Sequence, residues 1–347
     1  MFLTLAALPL AALAQAEKPE APQAWSANVP LLGDLGVSVQ SQPAIAMAGV
    51  GPGANVLVSW TDERNTVPDI FASVYSNNTA AQSNVRITGR TDTDENFDEP
   101  GDPRDDSSSS AIVESGGRAF VAYSTVQEIV LARRDVAGMW VSRTEMSLNN
   151  EVWYAHARAP SLVSTGGNGD NLVVVWQDYR NRNWDIYSAR CNGATMTCRA
   201  NVKVNNDPGT GMSAVWQLRP RLVAKGNSLI AVWEDHRDGG TSTPHIYASF
   251  SADGGASWGT NVRVDVGNDP GTNPSVAYEP NGQPWVVWER HVGELTAPAD
   301  IYAAKWNGAA WDMPIRMDKA PDGKRAGKTA VAVNANNAAF FCVGGRA

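Results

Sequence analysis

Short apolar runs that end in an aromatic residue recur along this chain, and each is followed by a polar turn and a second short apolar run. The clearest copy lies at residues 172–191, LVVVWQDYRNRNWDIYSARC. The aromatics that end the runs are spaced by 63, 53, 57 and 55 residues, and they are Trp60, Tyr123, Trp176, Trp233 and Trp288. A period in the fifties indicates a repeat protein in which every unit is one supersecondary element.

Each repeat has the pattern of four short strands. A strand opens the unit, a Gly or Asn turn leads to the run that ends in the aromatic, an Asp-x-Arg turn leads to an Asp-Ile-Tyr strand, and an outer strand follows. No segment has helical periodicity. Four antiparallel strands per unit, arranged radially, predict an all-β fold, a six-bladed β-propeller of four-stranded antiparallel blades. The units open near Pro43, Ser110, Pro160, Pro220, Pro274 and Thr329.

The sixth unit is incomplete in the sequence. It contains the apolar segments 330–333 and 338–343 but lacks the Asp-Ile-Tyr strand. Residues 25–39 hold one strand's worth of apolar positions, so we predict that an N-terminal strand closes the ring as the outer strand of the last blade. A truncated or frame-shifted gene end is the alternative explanation of the terminal residues FFCVGGRA.

The N-terminal residues predict export. Residues 1–16 carry no charge and end in Ala14-Gln15-Ala16, which is typical of a signal peptide with a small-x-small cleavage site. Residues 17–24 form a Pro-rich polar linker, and residues 25–347 form the predicted propeller. No other run is long enough to cross a bilayer. We therefore expect a secreted or periplasmic protein that does not insert into a membrane.

Charge and cysteine content narrow the classes further. A net charge of −8 and a pI near 5.1 argue against a nucleic-acid partner, which requires a basic surface. We expect a monomer. Cys191 and Cys198 flank a short loop between two strands, so we predict a disulfide there, with a pair of buried thiols as the alternative. No Cys/His spacing suggests a zinc site.

Residues 251–258, SADGGASW, match the Asp-box pattern S-x-D-x-G-x-x-W. With the repeats, this resembles the sialidase-like (BNR/Asp-box) superfamily of six-bladed propellers over residues 25–347. The resemblance implies structural roles, and no catalysis, for Ser251, Asp253, Gly255 and Trp258. In such turns the Asp binds backbone N–H groups and the Trp packs between strands.

The same resemblance implies that a hydrolase would hold its substrate carboxylate with three arginines and use a Tyr nucleophile, a Glu and an Asp. The first arginine belongs to an R-x-P motif in the first blade, where this chain has Ser41-Gln42-Pro43. The R-x-P of this chain is Arg158-Ala159-Pro160, in the third unit. Because Ser lacks the planar guanidinium fork, this departure argues against sialidase activity.

Charged residues of the Asp-x-Arg turns are the candidate ligand-binding groups. They would lie around a central cleft, and with Arg158 they are Asp62, Arg64, Asp178, Arg180, Asp235, Arg237, Glu289 and Arg290. The other interpretation, which we favour because the motif recurs in nearly every unit, is a structural ion pair. In that interpretation each Arg binds the Asp before the Ile-Tyr strand (Asp69, Asp185 or Asp300). The histidines that interrupt the pattern are interpreted as satisfied surface groups: His236, His245 and His291.

An acidic loop at residues 92–106 raises the question of calcium. Asp92, Asp94 and Asn96 have the spacing of a calcium loop, but Phe97 replaces the turn glycine and no bidentate Glu follows. We interpret the loop as solvated and predict no metal and no cofactor, with calcium as a weak alternative. Five aromatic residues would either stack on sugar rings or fill the core: Tyr154, Tyr179, Trp184, Tyr187 and Trp216.

The leading functional hypothesis is an exported propeller that binds a glycan or protein ligand on its cleft face without hydrolysing it. The first alternative is an exo-glycosidase of the sialidase type that acts on sialylated or related glycans. The second is a structural scaffold in the cell envelope. A fold alone does not choose among these, so the geometry of the site has to decide.

Overall fold

The computed structural model describes residues 39–48, 55–64, 68–76, 79–87, 110–124, 128–135, 140–147, 156–166, 171–207, 215–318, 326–333 and 339–345. Regular structure in these ranges consists of β-strands and one short 3-10 turn, Gly240–Ser242. Within them, no helix has the length and apolar character needed to span a bilayer. The predicted signal peptide, linker and acidic loop lie outside the described residues.

The strands follow one another in units of four or five, as the sequence pattern predicts. The first two units contain β1 (Gln40–Ala48), β2 (Asn55–Asp62), β3 (Asp69–Ser76) and β4 (Thr79–Arg86), then β5 (Ser110–Ser115), β6 (Arg118–Ser124), β7 (Ile129–Arg134) and β8 (Trp140–Ser147). The third contains β9 (Ala157–Ser164), β10 (Leu172–Asp178), β11 (Asp185–Asn192), β12 (Thr197–Cys198) and β13 (Val202–Lys203).

The fourth unit contains β14 (Gln217–Lys225), β15 (Ser228–Asp235), β16 (His245–Ser251) and β17 (Val262–Arg263). The fifth contains β18 (Gly271–Tyr278), β19 (Pro284–His291), β20 (Ala299–Lys305) and β21 (Ile315–Arg316). Two further strands follow, β22 (Ala326–Val333) and β23 (Ala339–Gly345). In the first, third and fourth units the second strand therefore ends at the Asp of the Asp-x-Arg turn, at Asp62, Asp178 and Asp235.

Every unit forms an antiparallel sheet in which consecutive strands are neighbours. The orders are β1-β2-β3-β4, β5-β6-β7-β8, β9-β10-β11 with β12 and β13 both on β11, and β14-β15-β16-β17. The fifth sheet has the order β18-β19-β20-β22-β23, and β21 also pairs with β20. The contact between β20 and β22 is the pair Ala299–Ala326. The first strand of each unit packs against the first strand of the next, from β1 through β5, β9, β14 and β18 to β22.

The core lies between the sheets, because both faces of each second strand are covered. In β10, side chains alternate between the two faces. Leu172, Val174 and Trp176 pack against the second unit, whereas Val173 and Val175 pack against the fourth. This two-sided burial explains why the sequence shows a continuous apolar run at this strand instead of an alternation.

A β-bulge recurs near the start of the first strands. Four of these strands have a register shift against their neighbour, and the residue before the proline there has a φ of 49° to 53°. This left-handed conformation costs a non-glycine residue roughly 1–2 kcal/mol. Because it recurs at the same position in four units, the bulge is a structural feature that these units share. The residues are Gln42, Ala159, Arg219 and Asn273.

The predicted four-stranded antiparallel units are confirmed, whereas the count of six blades and the closure of the ring stay predictions. The strand expected within residues 25–39 lies almost wholly outside the described residues. At the other end, β22 and β23 match the two predicted segments of the last unit, and the structure pairs them with the fifth sheet. Cys342 lies on β23.

Candidate functional site

The Asp-x-Arg turns are closed ion pairs. In the third unit, Arg180 donates to both oxygens of the buried Asp178, from Nε at 2.9 Å and from Nη2 at 2.7 Å. The backbone N–H of Arg180 and the indole Nε1 of Trp176 donate to the same carboxylate. Asp235 with Arg237 repeats all four bonds, and Asp62 with Arg64 repeats three of them. Each of these carboxylates therefore accepts three or four hydrogen bonds from its own strand end and turn, as a buried polar group requires.

The ion pairs expected from the sequence exist with different partners. We expected each Arg to bind the Asp before the Ile-Tyr strand, but that Asp takes another cation. The pairs are Arg86–Asp69 at 2.9 Å, Lys203–Asp185 at 2.9 Å and Arg316–Asp300 at 2.8 Å. The physical reason is the register: Asp62 lies opposite Asp69 and Asp178 lies opposite Asp185, so two facing carboxylates each require their own positive charge.

The arginines of these turns also lie over aromatic rings of the third strands. The distances from Cζ to the ring centroid are 4.3 Å for Arg64 over Phe71, 4.1 Å for Arg180 over Tyr187 and 4.5 Å for Arg237 over Tyr247. A guanidinium within about 6 Å of an aromatic centroid gains a cation–π interaction. Tyr187 therefore serves the turn and is not an open stacking platform for a sugar.

The ion pairs set the ionisation of their members. Burial by itself would raise the pKa of Asp62, but hydrogen bonds from Arg64 and Trp60 outweigh it and lower the pKa to about 2. Burial likewise opposes the charge of Arg237, yet the hydrogen bonds and charge of Asp235 raise its pKa above the ordinary value. Burial and the hydrogen bond to Asp238 raise the pKa of Tyr247. Asp62 and Arg237 are therefore charged at neutral pH.

The fifth unit departs from this pattern, because its candidate residues Glu289 and Arg290 are adjacent in the sequence, with no residue between them. Arg290 occupies the strand position that Asp178 and Asp235 hold in the preceding units, and it binds Asp269 at 2.6 Å. Its guanidinium still lies over the third-strand aromatic, 4.8 Å from the ring centre of Tyr302. In the fifth unit a guanidinium therefore also lies over the aromatic ring of the third strand, but the Arg that supplies it holds a different position in the repeat.

The residue between the Trp and the Asp faces the next unit and holds its bulge. Gln177 Oε1 accepts a hydrogen bond from the backbone N–H of Arg219 at 2.8 Å. One unit later, Glu234 Oε1 accepts from the backbone N–H of Asn273 at 2.7 Å. Along the chain, the buried residues at this position are Thr61, Ser124, Gln177, Glu234 and Glu289. The series becomes acidic only in the fourth and fifth units, so these two units differ chemically from the rest.

Polar side chains lie beside each of the two glutamates, which are only 1 % and 6 % exposed. Glu234 Oε2 accepts a hydrogen bond from Arg219 Nη1 at 2.8 Å. Glu289 pairs with Thr272 in the β18–β19 ladder. The hydroxyl of Thr272 lies 2.9 Å from His291 Nε2, and that nitrogen lies 3.9 Å from Glu289 Oε2. We call Arg219, Glu234, Thr272, Glu289 and His291 the acidic cluster.

The tautomer of His291 follows from its contacts. Its Nδ1 lies 2.9 Å from the carbonyl oxygen of Ala297, which only accepts, so Nδ1 carries a proton. In the neutral ring, Nε2 is then the acceptor and Thr272 donates to it. Nε2 is therefore occupied by Thr272, and the ring lies beside Glu289 with 3.9 Å between Nε2 and Oε2, which is beyond hydrogen-bond distance.

Arg158 and several aromatic side chains lie at the same end of the sheets as the acidic cluster. Arg158 pairs with Gln177 across β9–β10, and its Cζ lies 5.9 Å from the ring centre of Trp184. Tyr179 packs on Trp184 at 5.1 Å. Trp216 is 36 % exposed and contacts His236. These residues offer aromatic surface beside the site, whereas Tyr154 lies outside the described residues.

The histidines are not surface groups, which corrects our interpretation of them. His245 is buried, with Nδ1 2.8 Å from Asp265 Oδ2, and Arg263 binds the same Asp265. His236 is buried and its Nδ1 lies 2.8 Å from the carbonyl oxygen of Gly240. His245 stands where other units have an Asp, and Asp265, two residues after the end of the outer strand β17, supplies the missing carboxylate.

At the opposite end of the sheets lie the Asp-box residues and the disulfide. Ser251 Oγ binds Asp253 and the N–H of Gly255, while Asp253 accepts from the side chain and backbone of Ser257. These bonds from Ser257 lower the pKa of Asp253 to about 2. Trp258 reaches the third unit and donates to Ser188 at 2.9 Å. Cys191 and Cys198 are joined in a disulfide that closes the β11–β12 hairpin.

The described residues contain no group of three or more His, Cys, Asp or Glu side chains arranged to hold a metal ion. The calcium-like positions Asp92, Asp94 and Asn96 lie outside the described residues.

Sequence reasoning missed Glu234, Arg219 and Thr272. A comparison of equivalent positions between units could have revealed Glu234, because it follows an aligned Trp.

Comparisons with known proteins give a fold and no family. No family model matches this chain, and no curated protein matches it. Among solved structures, the GH93 α-L-arabinofuranosidase of Fusarium graminearum with arabinobiose is similar at 12 % identity and a TM-score of 0.53, over 84 % of each chain. The Fusarium graminearum enzyme with an iminosugar inhibitor gives 13 %, 0.52 and again 84 % of each chain. An α-L-arabinanase of Penicillium chrysogenum gives 16 % and 0.47, over 65 % of this chain and 71 % of that one.

These enzymes are β-propeller glycosidases. At this identity the similarity shows the fold alone, so the chemistry has to be argued from the residues of this chain. The consecutive antiparallel units and the packing of their first strands agree with that architecture. The chain therefore has an all-β fold of the propeller type.

Proposed function

We propose that this protein is a glycoside hydrolase whose site is the acidic cluster at the end of the fourth and fifth units. The observation that carries the proposal is the change from neutral to acidic residues at one repeated position. A structural requirement shared by all units would favour the same residue type throughout. Two adjacent buried glutamates at that position are instead the pair of carboxyl groups that glycoside hydrolysis uses.

The contacts suggest different tasks for the two glutamates. Glu234 is the oriented carboxylate, because Arg219 and the N–H of Asn273 fix both of its oxygens. We assign proton transfer to Glu289, because it is the second buried carboxyl group of the acidic cluster and lies on the neighbouring unit. One carboxyl group donates a proton to the glycosidic oxygen. The other assists attack on the sugar carbon, by water or by its own oxygen, and the bond between the sugar and its leaving group breaks; water supplies the hydroxyl of the released sugar.

Substitution of each glutamate by glutamine tests the assignment. Gln177 makes in the third unit the bulge contact that Glu234 makes in the fourth, so Glu234→Gln is expected to preserve the fold. We expect Glu234→Gln and Glu289→Gln each to lower kcat by about 100-fold or more, as for loss of an acid/base group. The exposed Glu63 is the matched control, and Glu63→Gln should retain full activity.

The substrate panel should contain aryl α-L-arabinofuranosides, arabinan and an aryl sialoside. The first two represent the sugars in the titles of the similar structures, and the third tests the resemblance carried by the Asp box. Turnover that both glutamine variants retain would contradict the assignment of the acidic cluster.

Glycan binding without hydrolysis is the second candidate, and one observation favours it. Both oxygens of Glu234 already accept hydrogen bonds, so this group can act as part of a rigid polar surface. A folded protein that turns over no glycoside but binds a glycan, with the affinity lost in Glu289→Gln, would select this function. A folded protein that neither cleaves nor binds any glycan would overturn both proposals.

A further inference from the structure

Two arginines lie side by side in the third unit, at the end of the sheets opposite the acidic cluster. Arg190 on β11 is directly opposite Arg199, because the disulfide pair Cys191–Cys198 fixes the register and the N–H of Arg199 donates to the carbonyl of Arg190 at 2.8 Å. Residues directly opposite on neighbouring strands point to the same face of the sheet. Two guanidinium groups therefore start from adjacent positions on one face.

Neither guanidinium has a partner in the part of the chain that the structure describes. No carboxylate there lies within 4 Å of either group, and no hydrogen bond or ring contact involves them. Like charges directly opposite on a sheet are destabilising. The arrangement is more notable because the chain as a whole has a net charge of −8. The two facing cations therefore lack a negatively charged partner.

The equivalent position in the other units shows that this gap is specific to the third. Arg133 of the second unit donates to the carbonyls of Gly193 and Ala194. Phe250 of the fourth packs on Trp306 and Trp311, and Lys305 of the fifth binds Glu279 at 2.8 Å. These units use the position for contacts with neighbouring groups. Arg190 alone among these four side chains faces open space.

That space is a cavity of about 440 Å³ between the third and fourth sheets. It is lined by both arginines and by polar side chains, including Asn171, Thr197, Asn227 and Asp253. Asp253 brings one negative charge to the lining, but its oxygens are held by Ser251 and Ser257 in its own turn and it forms no ion pair with either arginine, so the two positive charges exceed it. The volume lies within the range of small-ligand sites, about 300–1,000 Å³.

We propose that this cavity binds a small oxyanion ligand, a carboxylate or sulfate group borne on a polar molecule such as an acidic sugar. The two guanidinium forks match the planar oxygens of such a group, and the amide and hydroxyl side chains suit the hydroxyls of a sugar. The site lies at the other end of the sheets from the acidic cluster, so it is independent of the proposed hydrolysis.

Calorimetric titration with sodium glucuronate, sodium sulfate and glucose at constant ionic strength tests the proposal. We expect glucuronate and sulfate to bind and glucose not to bind. Arg190→Gln and Arg199→Gln should each weaken anion binding by about tenfold or more, as for loss of a hydrogen bond to a charged group. Arg118→Gln is the matched control, because it makes the same charge change outside the cavity lining, and it should retain the affinity.

The two anions distinguish the sources of the charge. Tighter binding of glucuronate than of sulfate or acetate would assign the site to an acidic sugar, and equal binding would assign it to a simple oxyanion. Binding of glucose as tight as that of glucuronate, or an equal loss of affinity in Arg118→Gln, would overturn the proposal.

Thermal unfolding gives a second readout. Because Arg190→Gln removes the repulsion between the facing arginines, its Tm without added oxyanion should equal or exceed that of the wild type. Sulfate at low millimolar concentration and constant ionic strength should raise the wild-type Tm more than that of the variant, since its general stabilising effect acts on both proteins. A clearly lower Tm of Arg190→Gln without added oxyanion would show that Arg190 is a structural residue and would contradict the proposal.

Discussion

At the scale of the residue, one carboxylate organises each complete turn. Asp178 binds an indole N–H, a backbone N–H and a guanidinium at once, and it is fully buried. Its side chain therefore joins the end of the second strand to the turn that follows. The same residue type was our candidate ligand group, and the structure gives it bonds within its own turn. The recurrence of a motif in many units was the correct reason to favour a structural role.

We predict that Asp178→Ala lowers the free energy of unfolding by about 3–5 kcal/mol, because removal of one partner leaves a buried guanidinium without its counter-charge. Urea denaturation followed by tryptophan fluorescence measures the change. The exposed Glu63 provides the comparison, since Glu63→Ala should change stability by less than about 0.5 kcal/mol. A cost for Asp178→Ala as small as that of the control would show that the turn is held by other contacts.

At the scale of the element, hairpins and bulges place the side chains that matter. The β11–β12 hairpin sets Arg190 opposite Arg199, and the bulge of β18 brings the N–H of Asn273 to Glu234. Neither contact follows from the spacing of residues along the chain. Both depend on register, and a shift of one position would turn every side chain of the strand to the other face.

We predict that the double change Cys191→Ala/Cys198→Ala lowers the free energy of unfolding by about 2–3 kcal/mol, the chain-entropy cost of opening a loop of this length. Denaturation with and without a thiol reductant provides the measurement. The reductant should lower the midpoint of the wild type to near that of the variant and leave the variant unchanged. A midpoint of the wild type that does not respond to complete reduction would contradict the prediction.

At the scale of the whole molecule, stability rests on the faces between sheets. Four separate buried clusters fill successive interfaces from the first unit to the fifth. Charged networks cap these clusters at both ends, with Asp62 in one turn and Asp253 in another. Both carboxyl groups have a pKa of about 2, below the ordinary value of 3.8. The folded state therefore binds fewer protons than the unfolded state between these values.

We predict that the protein loses stability as the pH falls from about 4 to about 2. A depressed folded pKa stabilises the fold fully above the unfolded pKa, and protonation in the folded state removes that contribution. Urea denaturation at a series of pH values checks this, and Asp253→Asn should lessen the loss over this range. A free energy of unfolding that stays constant or rises between pH 4 and pH 2 would contradict the prediction.

The sequence by itself determined the repeat, the four-stranded antiparallel units and their order. These features depend on local patterns: strand length, apolar runs and turn residues. The sequence also indicated the Cys191–Cys198 pair, because the two residues flank one short loop. It did not determine which charges meet. Asp62 and Asp178 bind the Arg two residues further along the chain. The residue opposite each of them on the facing strand is another Asp, which cannot serve as a counter-charge.

Only the tertiary structure decided where the chemistry lies. The acidic cluster joins residues 72 positions apart in the sequence, from Arg219 to His291, and the paired arginines open onto a cavity bounded by a different unit. Contacts between units depend on how the sheets pack face to face, which the strand pattern of one unit does not encode. The repeats allow the fold to be predicted from the sequence. The residues that depart from the repeat form the candidate sites, and these sites exist only because neighbouring units pack together.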